Sequence, residues 1–215
     1  MRLYIYEHCP YCVKARMIFG LKSVPIELEY LLNNEEDLLI RLNGVKQVPL
    51  WQQDNGDVMS ESMDIVRVVD NLSNASVLTE ENLVLKKWLQ GTKDSWRLLT
   101  LSHYPIFPFP EFATPEAIQY YTEKKEKNLG ASLESLRQRK DKFLNELNLQ
   151  LEYLNDLILT PQAVNGALSV DDFELFPVLR SLTLFKGAKF PEKVLNYAEE
   201  LSRLSHVPLL TDWAI

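Results

Sequence analysis

Cysteine and histidine are scarce in this sequence. It contains 2 cysteines and 3 histidines among 215 residues. The histidines, His8, His103 and His206, are far apart along the chain. A structural zinc site needs about four cysteine, histidine or carboxylate ligands, and these residues do not form a recognisable set. We therefore expect no bound metal.

Long apolar segments are also missing. A membrane-spanning helix needs about 18 or more consecutive apolar residues, and no stretch of the sequence comes near that length. Residues 1–6 are apolar over too few positions for a secretory signal, and Glu7 and His8 follow at once. The sequence therefore predicts a cytoplasmic protein without membrane association.

The sequence also lacks an excess of positive charge. The formal net charge is −7, and the lysines and arginines are scattered rather than clustered. Nucleic-acid binding depends on a concentrated basic surface, so we expect no nucleic-acid partner. The hydrophobic fraction of 46% and the charged fraction of 25% are ordinary for a folded globular protein, which argues against disorder.

The first 72 residues alternate short apolar runs with amphipathic patterns. Asn34 is predicted to cap the second helix, because it precedes acidic residues typical of a first turn. The predicted order is β-α-β-α-β-β-α, with strands at 3–6, 25–31, 48–51 and 58–59, and helices at 10–21, from 34 onward, and at 62–72.

The pattern changes after residue 72. A polar, linker-like stretch at 73–79 is followed by no convincing strand, and residues 104–110 contain three prolines, which predicts an irregular connection. Helices are predicted at 79–102, 114–128, 131–159, 169–186 and 191–205. The predicted fold class is therefore α/β plus all-α, with an N-terminal domain at 1–72, a linker at 73–79 and a helical domain at 80–215.

The two cysteines lie between the first predicted strand and the first predicted helix. Pro10 occupies the first helical position, where its missing N–H costs nothing, so Cys9 becomes the N-cap. The free N–H groups of Tyr11 and Cys12 and the positive end of the helix dipole favour its thiolate, which is the attacking species. Cys12 lies one turn further in and is placed to resolve a mixed disulfide. The pattern predicts a redox-active dithiol.

Two simpler interpretations of the cysteines are weaker. A structural disulfide across so short a loop would stabilise the fold by only about 2 kcal/mol in the chain-entropy model, and a cytoplasmic compartment would reduce it. Ordinary core cysteines are common, but they rarely bracket Pro-Tyr at a strand-to-helix turn. The motif in its β-α context favours redox chemistry.

The run Cys9-Pro10-Tyr11-Cys12 resembles the active site of the dithiol glutaredoxins. Two other segments, 47–49 and 61–62, resemble the cis-proline loop of thioredoxin-fold proteins and the last helix start of the small domain in glutathione transferases. The resemblance covers essentially the whole chain. It is closest to the large bacterial glutaredoxins of the glutaredoxin 2 type, which implies a thioredoxin-like domain followed by a helical domain in a glutathione-transferase-like fold.

This resemblance also implies a glutathione site. Val48, before a cis Pro49, would pair through its backbone with the cysteinyl part of the tripeptide. Ser62 would hold the γ-glutamyl carboxylate at a helix start, and Glu61 would pair with the ammonium group beside it. Tyr11 and Cys9 would complete the site near the sulfur. No cofactor is expected to be bound permanently, since glutathione would serve as co-substrate.

The implied activity is reduction of glutathione mixed disulfides and protein disulfides, with glutathionylated or disulfide-containing proteins as partners of a monomer. A glutathione transferase remains an alternative, but transferases commonly use tyrosine or serine and have no need of Cys12. A non-enzymatic adaptor with a transferase fold is a second alternative. An unreactive Cys9, with a pKa near 8.5, would favour the adaptor.

Overall fold

The computed structural model describes residues 1–72 and 76–215. The first seven elements have the predicted order, while residues 73–75 of the predicted linker lie outside the described residues. The elements are β1 (Arg2–Ile5), α1 (Pro10–Leu21), β2 (Glu27–Tyr30), α2 (Asp37–Asn43), β3 (Leu50–Gln52), β4 (Val58–Met59), α3 (Ser62–Asn71), α4 (Leu83–His103), α5 (Pro115–Leu129), α6 (Leu133–Arg137), α7 (Lys140–Asn155), α8 (Val170–Leu182) and α9 (Glu192–Ser205), with short 3-10 helices at Tyr104–Ile106, Pro110–Phe112 and Thr211–Trp213.

The four strands form one mixed sheet in the order β2-β1-β3-β4. Strand β2 runs parallel to β1, and the helix α1 makes the crossover that a parallel pair requires. Strand β3 is antiparallel to β1, and β4 is antiparallel to β3. The register places Tyr4 opposite Leu50 and Trp51 opposite Met59. The end of β1, the start of β3 and the end of β4 therefore lie at the same edge of the sheet.

Helix α1 is buried along most of its length, from Cys12 to Phe19. It packs against α3, whose apolar residues Ile65, Val66 and Val69 form a single buried stripe as its periodicity predicts. The rings of Phe19 and Trp51 meet edge to face, with centroids 5.5 Å apart. This packing fixes α1 against the sheet.

The described residues group into two compact units. One contains Met1–Ala75 and Tyr104–Gly130, and the other contains Ser76–His103 and Ala131–Ile215. This grouping differs from the predicted domains because the segment 104–130 belongs to the unit that contains the sheet. The backbone shows the reason, since the Asn33 N–H donates to the Glu111 carbonyl at 2.9 Å.

Two local predictions were wrong. Asn34 does not cap α2, whose N-cap is Glu36, because the chain around Asn34 forms a turn closed by the Glu35 N–H and the Leu32 carbonyl. The single helix predicted at 131–159 is two helices. The Arg139 N–H bonds three residues back, and the backbone of Arg139 leaves the helical region, so the ladder of hydrogen bonds is interrupted.

The second unit contains a fully buried carboxylate at the start of α8. Asp172 Oδ1 accepts the Val164 N–H at 2.7 Å and the Tyr197 hydroxyl at 2.9 Å. Its Oδ2 accepts the Ser169 N–H at 2.8 Å and the Ser169 hydroxyl at 3.0 Å. The link between residues 169 and 172 forms a capping box at the start of α8. Asp172 thereby joins α8, α9 and the loop before them.

We expect the substitution Asp172→Ala to lower the free energy of unfolding by about 3 kcal/mol, because it leaves buried donors without an acceptor. Urea unfolding followed by circular dichroism measures the change. Glu152→Ala, at an exposed site in the last turn of α7, is the control and should change the value by less than about 0.5 kcal/mol. A loss below about 1 kcal/mol for Asp172→Ala would contradict the structural role given to this carboxylate.

Candidate active site

Cys9 lies at the N-cap of α1, with Pro10 in the first helical position as predicted. The turn before it is closed by the Cys9 N–H, which donates to the Tyr6 carbonyl at 3.2 Å, and the Cys9 carbonyl accepts the first helical hydrogen bond from Val13 at 3.0 Å. The side chain is 9% exposed, so only an edge of the residue reaches the surface. This placement presents a sulfur at the positive end of a helix.

Cys12 is fully buried behind Cys9, and both thiols are free. A hydrogen bond from the Cys12 thiol lowers the pKa of Cys9 to about 7, against the opposing effect of burial and with help from the charge of His8. The N–H groups of Cys12 and Tyr11 add to the effect, although neither makes a well-formed capping bond with the sulfur. Burial, followed by the hydrogen bond to Cys9, raises the pKa of Cys12 well above its ordinary value. The two thiols are thus electronically unequal.

Val48 and Pro49 lie at the start of β3, next to the end of β1. The Val48–Pro49 peptide bond is cis, as the resemblance implies. Since Leu50 pairs with Tyr4, the residues just before β3 lie beside the chain that leads from β1 into the Cys9 turn. Val48 is half-buried and Pro49 is buried.

Glu61 and Ser62 lie at the start of α3, directly after β4. Glu61 is the N-cap, and its carboxylate accepts the Gln47 side-chain amide at 2.8 Å. Ser62 is the first helical residue and is 7% exposed. The sheet thus brings the starts of α1, β3 and α3 to one edge. The predicted site residues share that edge.

Tyr11 projects outward from the first turn of α1, with 57% of its surface exposed. The Lys14 ammonium lies 5.3 Å from its ring centroid. An exposed aromatic ring next to a reactive sulfur offers a contact surface for whatever docks there.

Two features of the site were not predicted from the sequence. The first is Glu111, a fully buried carboxylate in the proline-rich connection, which accepts the N–H groups of Glu7 at 3.1 Å and His8 at 2.9 Å and contacts the His8 ring at Nδ1. The proline-rich connection itself is irregular as expected, with two short 3-10 helices. The position of His8 directly before Cys9 was the available signal.

The second unpredicted feature is the Tyr6 hydroxyl, which is buried without a hydrogen-bond partner. Burial, and then the proximity of both cysteines, raises its pKa far above the ordinary value. The group therefore stays a neutral donor near the sulfurs. Its residue lies at the end of a buried strand, where an aromatic side chain is expected for packing alone.

Over residues 1–72 and 76–215, there is no group of three or more histidine, cysteine, aspartate or glutamate side chains arranged to hold a metal ion. In the same ranges no helix combines the length and the apolar character needed to cross a membrane.

Comparison with known proteins decides the family. Residues 84–214 match the model of the glutaredoxin 2 C-terminal domain, and residues 3–76 match the glutathione S-transferase N-terminal domain. Glutaredoxin 2 of Escherichia coli (strain K12) is 42% identical over the full length of both chains. The chain belongs to the glutaredoxin 2 family. This confirms the predicted family and the predicted function, glutathione-dependent thiol–disulfide exchange.

Solved structures agree with the glutaredoxin 2 assignment. The crystal structure of glutaredoxin 2 from Salmonella typhimurium in complex with glutathione has a TM-score of 0.96 and 42% identity, covering 100% of this chain and 98% of that one. A glutathione S-transferase of Ceriporiopsis subvermispora has a TM-score of 0.69 at 11% identity, with 98% of each chain covered. The second likeness concerns the fold, and it confirms the predicted glutathione-transferase-like class.

The hydrogen bond between the sulfurs predicts a difference between two variants of Cys12. Cys12→Ala removes the donor and should raise the pKa of Cys9, lowering its alkylation rate by iodoacetamide at pH 6.5 by about threefold. Cys12→Ser keeps a hydroxyl donor and should lower the rate less. Mass spectrometry of the Cys9 peptide over a pH series measures both. Equal rates for the alanine variant and the wild-type protein would show that Cys12 does not stabilise the thiolate.

Proposed function

We propose that Cys9 is the attacking thiol of this glutaredoxin and Cys12 the resolving thiol. The observation that carries the proposal is the inequality of the two sulfurs. The lowered pKa of Cys9, about 7, makes a large fraction of it thiolate near neutral pH, while Cys12 is buried and stays protonated. The attacking sulfur is the one at the helix start, with an edge at the surface.

In the glutathione half-reaction, the Cys9 thiolate attacks the glutathione sulfur of a protein–glutathione mixed disulfide. A new Cys9–glutathione disulfide forms, the old disulfide breaks, and the protein sulfur leaves as a thiolate that takes up a proton. A free glutathione thiolate then attacks the glutathione sulfur held on Cys9. Oxidised glutathione forms and the Cys9 thiolate is restored. Cys12 takes no part in this sequence.

A protein disulfide requires both cysteines. Cys9 attacks one sulfur and forms a mixed disulfide with the protein, and the other protein sulfur leaves. Cys12 then loses its proton and attacks Cys9, which releases the reduced protein and leaves a Cys9–Cys12 disulfide. Two glutathione molecules reduce that disulfide and become one oxidised glutathione. The hydrogen bond between the two sulfurs indicates that they are close enough for this step.

Glutathione is proposed to bind along the edge where α1, β3 and α3 begin. The Val48 backbone before the cis bond would pair with the cysteinyl residue of glutathione, with Pro49 beside it, like a short added strand. Glu61 and Ser62 would hold the γ-glutamyl end, through an ion pair with its ammonium group and through hydrogen bonds to its carboxylate. Tyr11 would cover the tripeptide near the sulfurs. The glutathione-bound relative from Salmonella typhimurium supports a site of this kind.

The cellular setting is proposed from the same chemistry. Glutathionylated and disulfide-containing proteins are the proposed partners, no cofactor is bound permanently, and the cytoplasm supplies reduced glutathione. We propose a monomer, since the reaction needs one dithiol. The division at 1–72, 73–79 and 80–215 is proposed as the domain organisation, and the two family matches meet near it.

Substitution of each cysteine tests the assigned order of attack. Cys9→Ser should abolish glutathione-dependent reduction of a small mixed disulfide, with a loss of about a thousandfold or more, because no other sulfur can form the intermediate. Cys12→Ser should retain this activity and lose reduction of protein disulfides. Steady-state assays with hydroxyethyl disulfide and with a disulfide-bonded protein measure both. Full mixed-disulfide activity in Cys9→Ser would overturn the assignment.

Ser62→Ala tests the proposed γ-glutamyl contact. Loss of one hydrogen bond to a carboxylate should weaken glutathione binding by about 2 kcal/mol, so KM for glutathione should rise about 30-fold at saturating disulfide. The thiolate of Cys9 should be unaffected, because the variant leaves α1 unchanged. Thr79→Ala removes an exposed hydroxyl and is the matched control. An unchanged KM in Ser62→Ala would remove this residue from the site.

A further inference from the structure

The buried carboxylate of Glu111 contacts the chain directly before Cys9. Oε2 accepts the Glu7 N–H at 3.1 Å, while Oε1 accepts the His8 N–H at 2.9 Å and contacts His8 Nδ1. Burial opposes ionisation of Glu111, but the hydrogen bond and the charge of His8 outweigh it and lower the pKa of the carboxyl group. An ionised carboxylate can only accept, so Nδ1 of His8 carries a hydrogen.

The His8 ring lies in an aromatic cage of five rings. The ring centroids are 4.6 to 6.1 Å from that of His8, and two of the rings, Tyr6 and Phe112, are nearly parallel to it. Aromatic faces attract a cation, and they do so more strongly where water is excluded. The cage and the carboxylate thus surround the His8 ring with groups that attract positive charge. The cage consists of Tyr6, Tyr104, Phe109, Phe112 and Tyr121.

We propose that Glu111 is a positioning residue for thiol exchange, which holds the imidazolium of His8 beside Cys9 so that its positive charge stabilises the attacking thiolate. This inference rests on the proposed role of Cys9. Glu111 lies more than 100 positions from Cys9 in the sequence. In the proposed reaction it does not contact the disulfide or the glutathione that reacts with a cysteine. Glu111 acts on Cys9 through His8, whose backbone N–H and ring it contacts.

The other charged and titratable groups near Cys9 do not supply this charge. Tyr6, directly after β1, and Tyr121, in α5, are neutral phenols, because burial is the largest of the effects that raise their pKa values. From α1 comes the protonated Cys12. The cations of α1 are engaged elsewhere: Arg16 donates to Glu7 at 2.9 Å, and Lys14 lies over the Tyr11 ring. The charge of His8 acts on Cys9 directly.

The direct effect of Glu111 and its effect through His8 have opposite signs. A negative carboxylate close to a thiolate repels it, so removing the charge of Glu111 alone should make Cys9 more acidic. If the carboxylate acts by holding the His8 cation, removing it should make Cys9 less acidic. The direction of the change in Glu111→Gln therefore distinguishes the two roles, independently of its size.

The experiment measures the rate of Cys9 alkylation by iodoacetamide between about pH 5.5 and pH 9.5, the range in which thiols titrate. Glu111→Gln and His8→Gln should each slow the reaction about threefold at pH 6.5, because a smaller thiolate fraction is partly offset by higher nucleophilicity. Near pH 9.5 both should react at least as fast as the wild-type protein. In the double variant, Glu111→Gln should slow the reaction no further than His8→Gln alone does.

Several results would overturn the proposal. Faster alkylation of Glu111→Gln at pH 6.5 would assign it a direct repulsive role, and an equal loss in the His8→Gln background would show that it does not act through His8. Glu116→Gln, an exposed glutamate in the first turn of α5, is the control and should match the wild-type protein. Circular dichroism establishes that each variant is folded.

If Glu111→Gln does not fold, the alkylation rate of His8→Gln tests the proposal instead. The glutamine amide of this variant can still donate to Glu111 but carries no charge. Wild-type alkylation of folded His8→Gln at pH 6.5 would then overturn the proposal. Failure of the proposed function gives a different result, namely slow alkylation of wild-type Cys9 with a midpoint near about 8.5, the value of an unperturbed thiol.

Discussion

A sulfur that attacks disulfides near neutral pH has to be kept as an anion inside a largely apolar fold. Burial works against this, and it raises the pKa of Cys12 for that reason. The pKa of Cys9 is lowered instead, because a thiol donor, a helix start and a nearby cation all lie close to its sulfur. Each of these three contacts depends on where α1 begins, which Pro10 and the packing of α1 against the sheet determine.

The mixed sheet converts this local chemistry into a site that can hold a tripeptide. Strand β3 runs antiparallel to both of its neighbours, so segments far apart in sequence end or begin at one edge. The cis bond before Pro49 and the start of α3 are brought there, where the Gln47 side-chain amide donates to the Glu61 carboxylate. Backbone groups left free by the cis bond and the helix start are polar and suit an extended, charged ligand.

Sequence patterns predicted the parts of the site that are local. A proline directly after Cys9 predicts the start of α1 from the local sequence, and strand and helix periods predict the order of the first seven elements. The patterns failed where the local structure or the burial of a residue depends on residues far away in the sequence. The break at Arg139 was missed because Leu136 and Phe143, seven residues apart, stay on one helical face, although the six residues between them are all polar. Glu111 looked like one acid among 30 Asp and Glu residues, since its burial is created by tertiary packing.

The unit that contains the dithiol is built from two stretches of chain, 1–75 and 104–130. A ribosome makes the second stretch well after the first, and a domain folds once its own chain is available. A nascent polypeptide that ends near residue 75 has both sulfurs but lacks Glu111, Tyr104 and Tyr121. The carboxylate and four of the five rings around His8 are therefore missing during that interval. The order of synthesis thus completes the surroundings of His8 only after the second stretch has been made.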